Sequence, residues 1–156
     1  MNETLAEVAR RSDALVRRAR AELVHAIRDA AATGMTQAEI ATEIGRSQPE
    51  VSRLLRFHGS TPLAHRLRAN AREVRRLVAE IGGRNVRVFG SVATGTDTPE
   101  SDIDLLFTAG RPLSLMQLGS LEAQLSELIG AEIDLVPDAS LRPALRERIL
   151  SEAVPL

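Results

Sequence analysis

Four residue types are missing from this 156-residue sequence: cysteine, lysine, tyrosine and tryptophan. Without cysteine there are no disulfides, thiolate metal sites or thiol nucleophiles, and a cytoplasmic setting is the default expectation. Without lysine, a Walker-type phosphate loop and a Schiff-base enzyme are both excluded. Only three phenylalanines supply aromatic rings, so stacking on single-stranded bases is poorly supported.

Long apolar runs are also missing. No stretch approaches the ~18 residues that a membrane span needs, so we expect no membrane partner. The chain leads from Met1 directly into a charged, helix-like segment, and we therefore expect no signal peptide. Hydrophobic residues make up 44% of the chain and charged residues 26%. These fractions are typical of a soluble globular protein with one ordinary domain or two small ones.

The net charge of −1 hides an asymmetry along the chain. Residues 1–84 carry fifteen arginines against ten acidic residues, a balance of +5. Residues 85–156 carry five arginines against eleven acidic residues, a balance of −6. A basic half followed by an acidic half indicates two modules with different partners.

The basic half begins with a long helical pattern. Residues 2–32 are nearly all strong helix formers without glycine or proline, and apolar residues recur at three- and four-residue steps. The pattern fits one long helix, or two with a break at Ser12-Asp13, and Thr33-Gly34 ends it. We expect a helix used for packing or dimerisation.

Two short capped helices follow the long one. Thr36 and Glu39 form a capping box for the first, and Ser47 and Glu50 form another for the second. Gly45 between them allows a tight left-handed turn. Two short helices joined at a glycine turn are the pattern of a helix-turn-helix.

The spacing within this pattern is specific. Counting Gln37 as the first position of a twenty-residue motif, the small residue is Ala41, the turn glycine is Gly45 and the packing residue is Val51. The stretch resembles the helix-turn-helix of phage repressors and related bacterial regulators, which implies binding to double-stranded operator DNA. The residues expected at the major groove or its phosphates are Gln48, Pro49, Ser52, Arg53 and Arg56. A helical hairpin used only for packing is the alternative.

The remaining pattern predicts an α+β fold, with a mixed sheet of about three strands flanked by helices. The expected boundaries are residues 1–60 for the all-α helix-turn-helix module and 61–156 for a second domain. After a linker at residues 57–63, the expected elements are a helix over 62–81, strands at 85–89, 102–109 and 132–136, and helices at 113–129 and 141–153.

Three aspartates lie within the apolar strand patterns. Asp102 and Asp104 are two residues apart, so a strand would place both on one face, roughly 6.5–7 Å apart at their Cα atoms. Two like charges on one face repel unless a cation lies between them. Asp134 lies in the third strand and would join the pair if the strands are neighbours. Such a set of oxygen ligands suits Mg²⁺ or Mn²⁺, and the alternative is surface charge on an edge strand.

A glycine and a serine precede the aspartates and suit phosphate binding. Gly90 lets the backbone come close to a phosphate, and Ser91 offers a hydroxyl and an N–H at the start of a helix or turn. Gly95 keeps the following loop open.

At this spacing the sequence resembles a known superfamily. Gly90-Ser91, ten intervening residues and Asp102-Ile103-Asp104 resemble the signature of the DNA polymerase β-type nucleotidyltransferases. The fuller strings from Gly90 to Gly95 and from Ser101 to Leu105 are similar to its minimal nucleotidyltransferase branch, as is the ending from Leu141 to Leu156. The resemblance covers about residues 85–156 and implies the polymerase-β-like fold for this part.

The resemblance also implies roles for single residues. Asp102, Asp104 and Asp134 would be catalytic and would bind Mg²⁺ or Mn²⁺, with Asp134 helping to deprotonate the attacking hydroxyl. Gly90 and Ser91 would hold the nucleoside triphosphate. Thr94 stands where the family usually has arginine, so a phosphate contact is lost and we expect weak or altered activity. Glu132 would point to the same side as Asp134 and is a lesser candidate ligand.

The function implied is transfer of AMP from ATP to a hydroxyl, in an antitoxin-like role beside a HEPN-type toxin. Because the chain has no tyrosine, a tyrosine acceptor must lie on the partner. One alternative is a transcriptional regulator whose transferase domain only senses nucleotide or binds a partner. Another is nucleotide addition to RNA, against which the missing aromatic residues count. Palindromic DNA sites would imply a homodimer, with the N-terminal helix as its interface.

Overall fold

A computed structural model describes residues 3–156 and divides the chain into two compact units. The first unit ends at Leu55 and the second spans Arg56–Leu156, so the boundary lies five residues before the predicted one. The reason is Phe57, which is buried in the core of the second unit and donates its N–H to the Pro155 carbonyl at 2.7 Å. Within residues 3–156, no helix is both long and apolar enough to span a membrane.

The first unit consists of α1 (Leu5–Ala32), α2 (Gln37–Ile44) and α3 (Gln48–Leu55). α1 is one continuous helix, so the break considered at Ser12-Asp13 does not occur, and the predicted start at Asn2 lies outside the described residues. Thr4 caps α1 through a complete capping box with Glu7.

The turn between α2 and α3 has the predicted helix-turn-helix form. Thr36 and Glu39 make a complete capping box, and Ser47 and Glu50 exchange the same pair of hydrogen bonds. Gly45 has the left-handed φ of 66° that the tight turn requires. A small core joins the three helices through Ile27, Ile40, Ala41, Val51 and Leu54.

The second unit alternates helices and strands. In chain order these are α4 (Pro62–Ala69), α5 (Ala71–Glu80), β1 (Gly83–Phe89), α6 (Gly90–Thr94), β2 (Ile103–Ala109), α7 (Leu115–Ile129), β3 (Ile133–Pro137), α8 (Pro143–Glu152) and β4 (Val154–Pro155). The single helix predicted over 62–81 is wrong, because the chain breaks at Asn70. The side-chain amide of Asn70 donates to the Arg66 carbonyl at 2.8 Å. This side-chain bond competes with the backbone hydrogen bonds of a continuing helix, and α4 ends here.

The four strands form one mixed sheet in the order β3-β2-β1-β4. β1 is antiparallel to β2 and to β4, whereas β2 and β3 are parallel and α7 connects them. The predicted α+β class is confirmed. The sheet has one strand more than expected, since β4 covers only Val154–Pro155 and is too short to show alternation in the sequence.

Helices α5 and α7 pack against one side of this sheet, where α5 contacts β1 and α7 contacts β3. Every second residue of β2 points to that side and completes the core, as expected for a strand with one face buried. Its fully buried members include Leu63, Leu67, Ile103, Leu105, Phe107 and Leu125.

The outer edge of β3 is closed by side chains of α7. The Ile133 N–H donates to Ser126 Oγ at 3.1 Å, and the Leu135 N–H donates to Glu122 Oε1 at 3.0 Å. An edge strand with free N–H groups would offer a template for pairing with another chain. The two side chains therefore keep the parallel strand that carries Asp134 in place and protect its edge.

We expect Glu122→Ala to lower the free energy of unfolding by about 1–2 kcal/mol, because the Leu135 N–H loses its charged acceptor. The opened edge should also increase aggregation on heating. Thermal unfolding with light scattering measures both effects. Glu127→Ala, an exposed glutamate on the same helix, is the control. Equal behaviour of the two variants would show that the Glu122 bond does not protect the edge.

Candidate active site

The turn between β1 and α6 passes directly against a carboxylate. Gly90 has a φ of 70°, in the left-handed region that favours glycine. A Cβ atom at this position would lie 2.2 Å from Asp104 Oδ2 and 3.1 Å from Asp104 Cγ. Glycine is therefore required here both by the backbone conformation and by the approach of the main chain to Asp104.

Two of the predicted aspartates are direct neighbours in the sheet. The parallel pairing of β2 and β3 places Asp104 opposite Asp134 and Leu106 opposite Val136, and residues opposite each other on neighbouring strands share a face. Asp102 directly precedes β2, two residues before Asp104. The structure thus brings Asp102, Asp104 and Asp134 to one end of the two strands.

The environment of Asp104 opposes its ionisation. Burial raises the pKa of Asp104 to about 6, helped by the negative charges of Asp134 and Asp102. Asp104 is partly buried, whereas Asp102 and Asp134 are exposed. A negative charge on Asp104 is therefore less favourable than on an ordinary exposed aspartate.

The donor chemistry of this cluster fits a hard divalent cation. Its donors are carboxylate oxygens, the ligands that Mg²⁺ and Mn²⁺ take, and a cation would offset the repulsion around Asp104. Across residues 3–156, no three such side chains are already arranged as a metal site, so the exposed Asp102 and Asp134 would have to turn toward Asp104. Glu132 is also exposed and directly precedes β3.

Ser91 and Thr94 differ in what their hydroxyl groups contact. The Thr94 hydroxyl donates to the Gly90 and Ser91 carbonyls at 3.2 and 3.3 Å and lies 3.0 Å from Thr96 Oγ1. It is thus engaged with α6 itself. For the Ser91 hydroxyl there is no hydrogen-bond partner among the described residues of the chain, and it remains able to bind an anion.

A second polar cluster lies on the same sheet face and was not predicted. Asp138, just after β3, accepts from Arg87 Nη2 at 3.0 Å and from Thr108 Oγ1 at 2.6 Å, and its carbonyl accepts from Arg146 Nη1 at 2.8 Å. Burial acts to raise the pKa of Asp138, but the Thr108 and Arg87 hydrogen bonds outweigh it and lower that pKa. The cluster ties β1 and β2 to the chain that follows Asp134.

The predicted DNA-contacting residues lie at two places. Gln48, Pro49 and Arg53 are exposed on α3, and Ser52 is partly exposed on the same helix. Arg56 lies beyond the end of α3, in the second unit, where it lines an open cavity of about 440 Å³ together with Arg75 and Arg84.

Comparison with known proteins shows which family this part of the chain belongs to. A family model described as "Nucleotidyltransferase domain" matches residues 71–156, which hold the whole sheet and all three aspartates. "Putative protein adenylyltransferase MJ0435" of Methanocaldococcus jannaschii is 37% identical over 89 residues, 54% of this chain and 96% of that protein. "Protein adenylyltransferase MntA" of Thermococcus cleftensis is 34% identical over 88 residues, 56% of this chain and 86% of that protein.

Solved structures share the fold of the second unit. A structure of a putative minimal nucleotidyltransferase superposes with a TM-score of 0.55 and 39% identity, over 64% of this chain and 100% of that one. A chain in a toxin-antitoxin structure with AMP-PNP superposes with a TM-score of 0.51 and 23% identity, over 55% of this chain and 71% of that one. The second likeness concerns the fold alone.

We expect Asp104→Asn to stabilise the metal-free protein at pH 7. The folded pKa of about 6 lies above the ordinary value of 3.8, so ionised Asp104 costs stability at neutral pH and this cost disappears as the pH falls through 6 toward 4. With solvent screening, the gain is about 1–2 kcal/mol at pH 7. Calorimetry in EDTA at pH 7 and pH 4.5 measures it, with the exposed Glu100→Gln as control. A gain that does not shrink at the lower pH would contradict the electrostatic cause.

Proposed function

Because the chain belongs to the nucleotidyltransferase domain family, we propose that it transfers AMP from ATP to a hydroxyl group on a partner protein. The observation that carries this proposal is the approach of Gly90 to Asp104, which lies opposite Asp134 and two residues after Asp102. Such a site holds a partly buried carboxylate against the main chain of the turn, with two further carboxylates near it, and a cation would offset their charge. The adenylyltransferase names of relatives with 34–37% identity support AMP as the transferred group.

The proposed reaction forms one bond and breaks one. The acceptor hydroxyl oxygen attacks the α-phosphorus of ATP, and the bond from that phosphorus to the oxygen bridging to the β-phosphate breaks, releasing pyrophosphate. Asp134 takes the hydroxyl proton, because it is exposed and lies beside Asp104. The Ser91 hydroxyl and the main chain at Gly90 hold the phosphates.

Metal dependence is part of the proposal. Asp102, Asp104 and Asp134 would hold Mg²⁺ or Mn²⁺, which when bound supplies positive charge that neutralises the phosphates and the leaving pyrophosphate. Asp104 depends most on this charge, because it is the least exposed of the three. We also expect the transfer to be weak, since Thr94 places no guanidinium beside the phosphates.

The biological role that we propose is that of an antitoxin. The acceptor would be a partner protein such as a HEPN-type toxin, and a tyrosine acceptor has to be on that partner because the chain contains none. The helix-turn-helix would let the protein repress its own operon. Gln48 and Arg53 on α3 are exposed at positions from which such a helix reads a major groove.

The transfer is tested with α-labelled ATP, Mg²⁺ and the product of the neighbouring gene. We expect the parent protein to label the partner. Asp104→Asn should reduce labelling at least 100-fold, because it removes a charge that holds the cation, and EDTA should do the same because it removes the cation itself. Glu100→Gln, an exposed carboxylate in the preceding loop, should retain activity. Thr94→Arg should raise the transfer rate if a phosphate contact is missing.

Absence of label would leave the alternative, a transcriptional regulator whose second unit only senses nucleotide or binds a partner. That alternative predicts nucleotide binding without transfer. It also predicts that Asp104→Asn leaves the effect on the partner unchanged.

DNA binding is tested separately with the protein's own promoter. We expect Gln48→Ala and Arg53→Ala to weaken binding by about 10- to 100-fold each, the effect of losing a base contact. Arg10→Ala, which removes the same charge from α1, is the control. Unchanged affinity in both α3 variants would show that this helix does not read the DNA.

A further inference from the structure

Helix α1 projects far beyond the small core of its unit. Along Leu5–Ala32 the residue buried in that core is Ile27, near the end of the helix. Every residue from Leu5 to Glu22 is exposed, and the first partly buried one is Leu23. Five turns of helix therefore lack tertiary support, although most helical stability in proteins comes from packing of an amphipathic face.

The exposed part of α1 carries one uncharged stripe. With 3.6 residues per turn, eight side chains fall within an arc of about 120°: Leu5, Val8, Ala9, Ser12, Leu15, Val16, Ala19 and Leu23. All charged residues between positions 5 and 23 project outside this arc. Three members are large and well exposed, at 86% for Leu5, 59% for Leu15 and 65% for Val16.

A stripe of this kind is the pattern of a helix whose apolar face is covered. It is 19 residues long, or roughly 28 Å at 1.5 Å per residue, which is the length of a helix–helix contact rather than of a small pocket. Two pairs of large side chains, Leu5–Val8 and Leu15–Val16, are separated by the small pair Ala9–Ser12, so a second helix could approach closely at the small residues. The covering element should therefore be another helix with a matching stripe.

The charges beside the stripe favour a second copy of the chain. One flank carries Asp13, Arg17 and Arg20, and the other carries Glu7, Arg11, Arg18 and Glu22. Both flanks mix the two signs, so a partner of one sign would repel part of each. The α1 helix of a second copy has the same uncharged stripe and the same flanks of mixed charge, so it matches both features. A second copy is also always present at the same concentration as the first.

We propose that this stripe is the interface of a homodimer, in which α1 of one chain packs along α1 of a second copy about a two-fold axis. A two-fold pair presents two helix-turn-helix units, which matches DNA sites built of two half-sites. That consequence rests on the proposed DNA binding, whereas the dimer itself does not.

The test compares one substitution at two places on the same helix. Ala19 lies within the stripe and Ala14 on the opposite face, and both are exposed alanines. Ala19→Glu and Ala14→Glu therefore change charge and helix propensity equally. Sedimentation equilibrium without DNA or nucleotide should give the parent protein twice the 16.9 kDa of one chain. Ala19→Glu should weaken self-association at least ~100-fold, because each copy would bury an unpaired carboxylate, and Ala14→Glu should not.

The melting temperature is a second measurement, and it remains informative even if part of α1 unfolds in a variant. For a dimer it should rise with protein concentration in the parent and in Ala14→Glu, but not in Ala19→Glu. A parent protein of 16.9 kDa at all concentrations overturns the proposal. A dimer that both variants leave intact also overturns it, because the interface then lies elsewhere. Neither outcome depends on whether the protein binds DNA.

Discussion

The placement of a partly buried carboxylate, Asp104, beside two others is the constraint on which the rest of the second unit depends. Asp104 is held next to Asp134 by the parallel pairing of two strands and lies two residues from Asp102. Burial and the two neighbouring charges raise its pKa to about 6, so its ionised form is unfavourable without a compensating charge. A fold that keeps the arrangement has to hold both strands by other means, and those means account for much of the remaining structure.

Three such means are visible. Helix α7 connects β2 to β3 and covers the outer edge of β3 with Glu122 and Ser126. Asp138 anchors the end of the same strand through Arg87 and Thr108. The third is the buried face of β2, which packs Ile103, Leu105 and Phe107 into the core. The strand that bears Asp104 also contributes three fully buried residues to the core, and their burial offsets the cost of placing the carboxylate there.

Sequence patterns predicted the features that depend on near neighbours. The capping boxes at Thr36 and Ser47 and the left-handed Gly45 need only residues three or four apart. Predictions failed where a distant partner decides the outcome. Phe57 resembles a linker residue until the core of the second unit buries it, and a two-residue strand at Val154 forms only because β1 is there to pair with. Nothing near Asp138 in the sequence indicates bonds to residues 30 and 51 positions away.

The sequence by itself determined the α+β class, the helix-turn-helix and the identity of the three aspartates, because spacing of two, three or four residues sets which side chains share a face. Only the tertiary structure decided that Asp134 lies beside Asp104, since strand order is not encoded in local spacing. It also decided that Gly90 must be glycine because of a carboxylate fourteen residues away, whose Oδ2 would lie 2.2 Å from any Cβ atom. Contacts across the sheet arise when the whole chain packs, and for that reason no local pattern contains them.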